Sequence, residues 1–451
     1  MGEIFSENEY NDILEKCRKF KKLFLDTSEK EVYVQLVHEM DGYDGIRVTF
    51  DVYPKRFLGR LMDYVLSPNR SPIPLFSYCF ETKVKEGSYE YKEIKSAAQR
   101  NNGWLEAELC DEKEQNCDFY GQLVWQCGDV EYSNVGIKMQ YGISDSAMQI
   151  INRTIVGFDG KSSDSIFHGD YIIANETDDT ATSYDINLYT VGDANTSLIT
   201  NNNTRESLLV DCGIERNVNY RYLYSQAESE IKMLNPEYVF ISHNHEDHYN
   251  LFFVNGAVQS LVLGLNNNTS LKKVVLRDTS GACLSQTIIR GLLGTKLLLL
   301  NTSVFNYKYA ISNDFPNVFI EFGNCPDPSR CVANAPSYYE NDTGMILYVH
   351  NRKKVVFTGD CSFDFIPTSV NLSDADYIIL PHHGGKVVMS NTISLKSQCV
   401  PIVSSGFTKF YSGSGYQSQY DQGSFLQNCG VTSKIIFLRA NPNPYFKVKG
   451  V

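Results

Sequence analysis

Close to the N-terminus, Ile13, Leu14, Cys17, Phe20 and Leu23 recur near helical spacing behind an acidic first turn, which predicts an amphipathic helix over residues 7–25. The period then shortens. EVYVQLVHEM, GIRVTFDVYP, PLFSYCFETKV, DFYGQLVWQC and VGIKMQYGI are aromatic and β-branched runs parted by Gly, Asn, Asp and Pro, the pattern of short strands in a sandwich or barrel. The polar, acidic stretch ANETDDTATSYD reads as a linker. The chain is therefore expected to divide into an N-terminal β-rich accessory domain with a leading helix, residues 1–180, and a second domain, residues 181–451.

In the second region strands alternate with helices. DINLYTVG and SLLVDCG read as strands around a turn-rich stretch, AESEIKML as a helix, and YVFISH as an apolar strand. KKVVLRD, TKLLLL, the hairpin MILYVHNRKKVVFTGD, ADYIILP and KIIFLRA follow as further strands. This alternation predicts an α/β fold of mixed sheets covered by helices. No internal repeat is apparent, which excludes solenoids and propellers.

Composition narrows the class. The chain has 451 residues, 42% of them hydrophobic and 21% charged, enough apolar material for packed cores. A net charge of −12 argues against broad adhesion to a phosphate backbone and leaves room for a local basic groove. No apolar run approaches the roughly 20 residues that span a bilayer, and no signal-peptide h-region is seen, so the expectation is a cytoplasmic protein without membrane contact. The 12 cysteines are irregularly spaced and read mostly as reduced thiols. Cys110/Cys117 and Cys325/Cys331 sit in turn-like stretches, where a bridge or a metal is the lesser alternative. The lone His38 and His168 read as structural or surface residues.

Chemistry concentrates in Ser242-His243-Asn244-His245-Glu246-Asp247-His248, directly after an apolar strand. In an extended chain His243 and His245 point to one side and can converge on one metal, while a turn presents Asp247 and His248 toward a second. Neutral imidazoles and carboxylates are ligands for Zn²⁺, Mn²⁺ or Fe²⁺ with a place left for water. Downstream, Thr358-Gly359-Asp360 ends a strand with a glycine turn and an acid suited to bridging two metals. Pro381-His382-His383-Gly384-Gly385 ends another strand with two imidazoles, either of which could complete the second site.

These motifs, in this order, resemble the metallo-β-lactamase fold superfamily: HNHEDH for the family's HxHxDH, TGD at Asp360, HHGG at His382 and His383, and an opening LYTVGDANTSLITNNNTRESLLVDCG that ends in Asp211 and Gly213. Within it the nearest likeness is to the hydrolase domain of DNA-uptake competence proteins (ComEC-like), where NNxS, TGD and HHGS recur in that order. The resemblance covers residues 181 to about 440 and implies an αββα sandwich with two divalent metal ions, Zn²⁺ first and Mn²⁺ second, at one edge of two sheets. It makes His243, His245 and Asp360 ligands of one metal. Asp247, Asp360 and His382 or His383 would hold the other, with His248 alongside. Many members place a further histidine between the first motif and the bridging acid. The only histidine in that interval, His350, lies on a hairpin strand, so Asn341 or Asp342 is the expected extra oxygen for metal or substrate.

Two such ions about 3.5–4 Å apart lower the pKa of a shared water toward about 7, which makes hydrolysis the natural reaction. Asp247 is the expected catalytic residue, orienting or deprotonating that water. The expected substrate is a phosphodiester, in a nucleotide or a single-stranded nucleic acid. The alternatives are hydrolysis of a neutral ester, lactone, lactam or thioester, and a metal-binding scaffold with weak turnover. Which protein partner the N-terminal domain recruits is left open by the pattern. Ser404, Ser405, Lys409 and Tyr411 read as ordinary loop residues.

Overall fold

A computed structural model of the chain describes residues 7–25, 29–42, 45–66, 76–100, 103–162, 182–215, 221–253, 271–278, 297–301, 308–326, 341–384, 387–405 and 429–451, apart from 113, 115, 128, 233, 390–392 and 439–442. They fall into two units, one holding a barrel and the other two sheets. The boundary expected near residue 180, His168, Lys409 and Tyr411 lie outside the described residues.

In the first unit, helix α1 (Glu7–Phe24) precedes strands β1 (Glu31–Gly42), β2 (Gly45–Pro54), β3 (Ser77–Val84), β4 (Trp104–Asp111), β5 (Phe119–Cys127) and β6 (Asp129–Gln140). The strands close into an antiparallel barrel in the order β1-β2-β3-β5-β6-β4, because β1 pairs with both β2 and β4. Closure leaves no unpaired edge. The five expected strands are all present. β4 was not expected: its sequence, WLEAELCD, carries Ala and two Glu and little β-branching, so pairing rather than propensity makes it a strand. Three further helices were also not expected: α2 (Lys55–Leu66), α3 (Tyr89–Arg100) and α4 (Asp145–Ser162). Each buries positions at i, i+3 or i+4, such as Phe57, Leu58 and Leu61, Ile94 and Ala97, and Ala147 and Ile151. His38 sits on β1 at a register shift of the β1–β2 ladder.

Helix α1 is held to the barrel by Phe24. Its ring lies 3.8 Å from that of Phe57, 4.8 Å from Phe76 and 5.0 Å from Trp125, centroid to centroid. Burying such a ring contributes a few kcal/mol.

The second unit carries β7 (Tyr184–Tyr189), β8 (Thr196–Asn201), β9 (Ser207–Cys212), helix α5 (Ser225–Lys232), β10 (Tyr238–Phe240), β11 (Lys273–Asp278) and β12 (Leu297–Asn301). After these come β13 (Tyr309–Ala310), β14 (Val318–Phe322), β15 (Met345–His350), β16 (Lys354–Phe357), β17 (Tyr377–Ile379), β18 (Val400–Val403), β19 (Ile436–Phe437) and β20 (Tyr445–Val448). They form two seven-stranded sheets, β12-β11-β10-β9-β8-β7-β20 and β13-β14-β15-β16-β17-β18-β19. One apolar core joins the inner faces: Ile186, Leu188, Leu208 and Val210 from the first sheet meet Val318, Ile320, Leu347 and Val349 from the second. Alternate residues of the same strands, Phe319, Ile346 and Tyr348, join a separate cluster with Phe363, Phe365 and Val370. That face is covered, in part, by three short 3-10 turns at Phe363–Phe365, Thr368–Val370 and Leu372–Asp374.

The direction of pairing places the site. β9, β10 and β11 run parallel in the first sheet, as do β16, β17, β18 and β19 in the second. Loops after parallel strands collect at the strands' carboxyl ends, where open α/β sheets bind ligands. The end of β9 and the loops after β10, β16 and β17 carry the acids and imidazoles singled out in the sequence. Among the described residues, no helix is long and apolar enough to cross a membrane.

Both tryptophans of the chain belong to the barrel, so their fluorescence reports on it. Phe24→Ala should lower its stability to urea by about 3–5 kcal/mol. Leu23→Ala, at a side chain 65% exposed, should change it by less than about 0.5 kcal/mol. Equal effects would show that α1 is not docked through Phe24.

Candidate metal centre

Asp211, the last but one residue of β9, starts the site. It adopts φ 54° and is buried. Its Oδ1 accepts the backbone N–H of Ser242 at 2.7 Å, and its Oδ2 accepts the Ser242 hydroxyl at 3.0 Å. The same Oδ2 lies 2.9 Å from His248 Nδ1. Ser242 Oγ in turn stands 3.1 Å from His243 Nδ1. With Ser242 donating to Asp211, both imidazoles are read as Nδ1–H tautomers that donate to this network. The Nε2 lone pairs of His243 and His248 are thereby turned away from it, as a metal ligand requires.

Those Nε2 atoms face Asp360 in the loop after β16. His243 Nε2 is 3.7 Å from Asp360 Oδ2, and His248 Nε2 is 3.3 Å from Asp360 Oδ1. From the loop after β17, His383 Nε2 lies 3.1 Å from Asp247 Oδ2 and 3.8 Å from Asp360 Oδ1. Ligand atoms gather in two groups, each within 4.8 Å: Asp247, His248, Asp360 and His383, and His243, His245 and Asp360. Asp360 belongs to both. All six residues are buried.

Close backbone approach makes this packing feasible. A Cβ at Gly213 would overlap the carbonyl oxygen of Asp247. Gly359 has φ 55° and would bring a Cβ to 3.0 Å from Ser242 Cβ. The amide of Met345 donates to the carbonyl of Ser242 at 2.8 Å, tying the second sheet to the loop that follows β10. His382 and His383 both hold positive φ, 54° and 50°, a conformation that costs about 1–3 kcal/mol per residue and clusters at functional sites.

The electrostatics are those of a site that calls for positive charge. Burial, then the neighbouring His248 and His245, hold the His243 imidazole well below its ordinary pKa and so neutral. Burial also disfavours a charged His248, but the Asp360 and Asp211 carboxylates outweigh it and raise that imidazole well above its usual value. Asp360 is likewise disfavoured by burial, yet His248 and His383 hold it well below the carboxylate range. His243 Nε2 is buried without a hydrogen-bond partner among the described residues, while His248 Nε2 and Asp360 Oδ1 meet each other at 3.3 Å. Desolvated carboxylates and inward lone pairs in this number fit a divalent cation, or two sharing Asp360.

Other expected residues fall differently. His382 is buried but lies in neither group; the left-handed pair in the loop brings His383 to Asp247 instead. Asp342 is also in neither group: its Oδ1 accepts the Ser362 amide at 2.8 Å and so braces the loop that carries Asp360. Asn341 is buried, and its Oδ1 lacks a hydrogen-bond partner among the described residues. His350 ends β15 outside both groups. Ser404, buried after β18, donates to the carbonyl of Ala194 at 2.6 Å. The orienting role of Asp211 was not read from the sequence, although an acid ending an apolar strand two residues before a glycine was a visible signal.

Residues 189–251 match the model of the metallo-beta-lactamase superfamily. That match, the paired mixed sheets and the buried His/Asp groups define a metallo-β-lactamase domain within the chain. Among solved structures, similarity extends to the metallo-beta-lactamase fold protein YhfI from Bacillus subtilis, 13% identical over 59% of this chain and 100% of that one, with TM-score 0.30. A variant of CmlA beta-hydroxylase is 10% identical over 90% and 69% of the two chains, with TM-score 0.33. A diphosphatase from the PhnP family is 10% identical over 59% and 97%, with TM-score 0.30. These superpositions are loose. No curated protein matches the sequence significantly.

Asp211→Asn should leave the fold intact and weaken metal binding about 10- to 100-fold, the usual loss when a group orienting a ligand is changed. Competition against a chromophoric chelator measures it, and an unaltered affinity would remove Asp211 from the account.

Proposed function

We propose that the chain is a metal-dependent phosphodiesterase or nuclease acting on a nucleotide or a short single-stranded nucleic acid. The observation that carries the reading is the pair of adjoining buried ligand groups sharing Asp360. His243, His245 and Asp360 would hold one divalent cation; Asp247, His248, Asp360 and His383 would hold another. Zn²⁺ is the first candidate for that donor set and Mn²⁺ the second. When bound, such a pair supplies Lewis-acid charge at a scissile phosphate and eases ionisation of water at neutral pH.

The protein's own groups do the rest. Asp247 lies against His383 and beside Asp360, where its carboxylate can hold the proton of an attacking water and set its direction. Asp211 fixes the ring of His248 and, through Ser242, that of His243, so the imidazoles need little reorganisation. The net charge of −12 favours a small or single-stranded substrate over a long duplex, whose many phosphates would meet repulsion. The likeness to competence-protein hydrolase domains rests on the order of the motifs and points to the same bond.

Metal analysis of the purified protein, with assays on bis-p-nitrophenyl phosphate, single-stranded DNA, cyclic nucleotides and a lactone, tests the proposal. Bound divalent metal and phosphodiester cleavage are expected, with His245→Ala and Asp360→Ala inactive. Asp247→Asn should lower kcat/KM about 10²- to 10⁴-fold, the range for a lost acid–base group. Cleavage of the lactone alone would replace the phosphodiester with a neutral ester, and bound metal without turnover on any substrate would leave a scaffold.

A further inference from the structure

Away from the metal centre, the barrel brings two cysteines together. Cys110 lies on β4 and Cys117 in the turn that leads to β5. Gly136 of β6 is the cross-strand partner of Cys110. A Cβ at Gly136 would overlap Cys117 Sγ and would lie 2.8 Å from Cys117 Cβ and 3.3 Å from Cys110 Cβ. The two cysteine Cβ atoms thus flank the space left by one missing side chain, no more than about 6 Å apart, within a small adjustment of the roughly 3.5–4.5 Å that a disulfide spans.

Both ends of the intervening turn are fixed. Lys30 Nζ lies 3.6 Å from an Asp111 oxygen and 3.2 Å from one of Glu114, and the Glu114 amide donates to the Asp111 carbonyl at 2.9 Å. Asp118 donates its amide to Ile137 at 2.9 Å and accepts that of Met139 at 2.7 Å. Closing so short a loop loses little chain entropy. Exposure separates the partners: Cys117 is half-buried, and the other described cysteines are buried. Among the described residues no third metal-ligating side chain gathers beside the pair. Burial and contact with Cys117 push the Cys110 thiol up to about 12, so it is protonated at neutral pH.

We propose that Cys110 and Cys117 form a reversible intramolecular disulfide when a hydroperoxide oxidises the chain, with Cys117 as the entry thiol. The Cys117 sulfur attacks the peroxide, forming an S–O bond and breaking the O–O bond; its proton leaves with the departing alkoxide or hydroxide as alcohol or water. The Cys110 sulfur then attacks the sulfenic sulfur, forming S–S and breaking S–O, and its proton leaves with the hydroxide as water. Two thiols lose two electrons, and one peroxide gains them. The product staples the β4–β5 turn to the barrel wall.

The test treats the full-length folded chain with equimolar hydrogen peroxide, alkylates it and digests it with trypsin, which cuts after Lys113 between the two cysteines. Peptides joined through Cys110 and Cys117, assigned by fragmentation and separated by dithiothreitol, are expected. Cys110→Ser should raise dimedone capture at Cys117 at least about tenfold, because the resolving thiol is gone. Cys117→Ser should leave Cys110 unmodified. Circular dichroism checks that both variants keep the barrel. The proposal is overturned if the treated wild-type peptides separate unlinked, or if Cys17 and Cys127, buried with their thiols in contact, link as readily.

Discussion

The second unit is organised around the cost of burying carboxylates. Asp211, Asp247 and Asp360 are all withdrawn from water and stand among four buried imidazoles. An isolated charge in such a place is prohibitive unless it is matched by opposite charge and by directed hydrogen bonds. Asp211 meets that demand within the protein, through Ser242 and His248. Asp247 and Asp360 meet it in part, through His248 and His383. A divalent cation would supply the remainder, so the geometry of these groups and local stability are two aspects of one electrostatic problem.

Topology solves it by convergence. The candidate ligands come from loops after β10 in one sheet and after β16 and β17 in the other, and more than a hundred residues of sequence separate β10 from β16. Each sheet changes from antiparallel to parallel pairing partway across, and the parallel strands deliver their loops to one end. The bond from Met345 to the Ser242 carbonyl and the shared core of Leu347, Val210 and their neighbours keep the two sets of loops in register. The rigid part of the domain is apolar and ordinary; its specificity lies in which strand ends carry acids and imidazoles.

Much of this was legible in the chain. Three histidines within HNHEDH, behind a buried strand, have few chemical explanations, and TGD and HHGG supply partners in the right order. The strand runs of the first unit were equally plain, since aromatic and β-branched alternation has a direct physical cause. β4 escaped because Glu and Ala disguise it, and the three later helices because their buried positions are few and separated by strand-like runs. Sequence alone could not separate His382 from His383, because a backbone kink determines which ring stands against Asp247. Asn341 or Asp342 was expected to lend an oxygen to metal or substrate; Asp342 Oδ1 accepts the Ser362 amide, a bracing use of an acid that residue type alone does not distinguish.

That kink has a bearing on how the sequence can drift. Consecutive left-handed residues at 382 and 383 exclude Val, Ile and Thr on steric grounds and leave Gly, Asn, Asp and His as the natural tenants of position 382. A histidine at 382, outside both ligand groups, is thus a side chain that this awkward torsion tolerates.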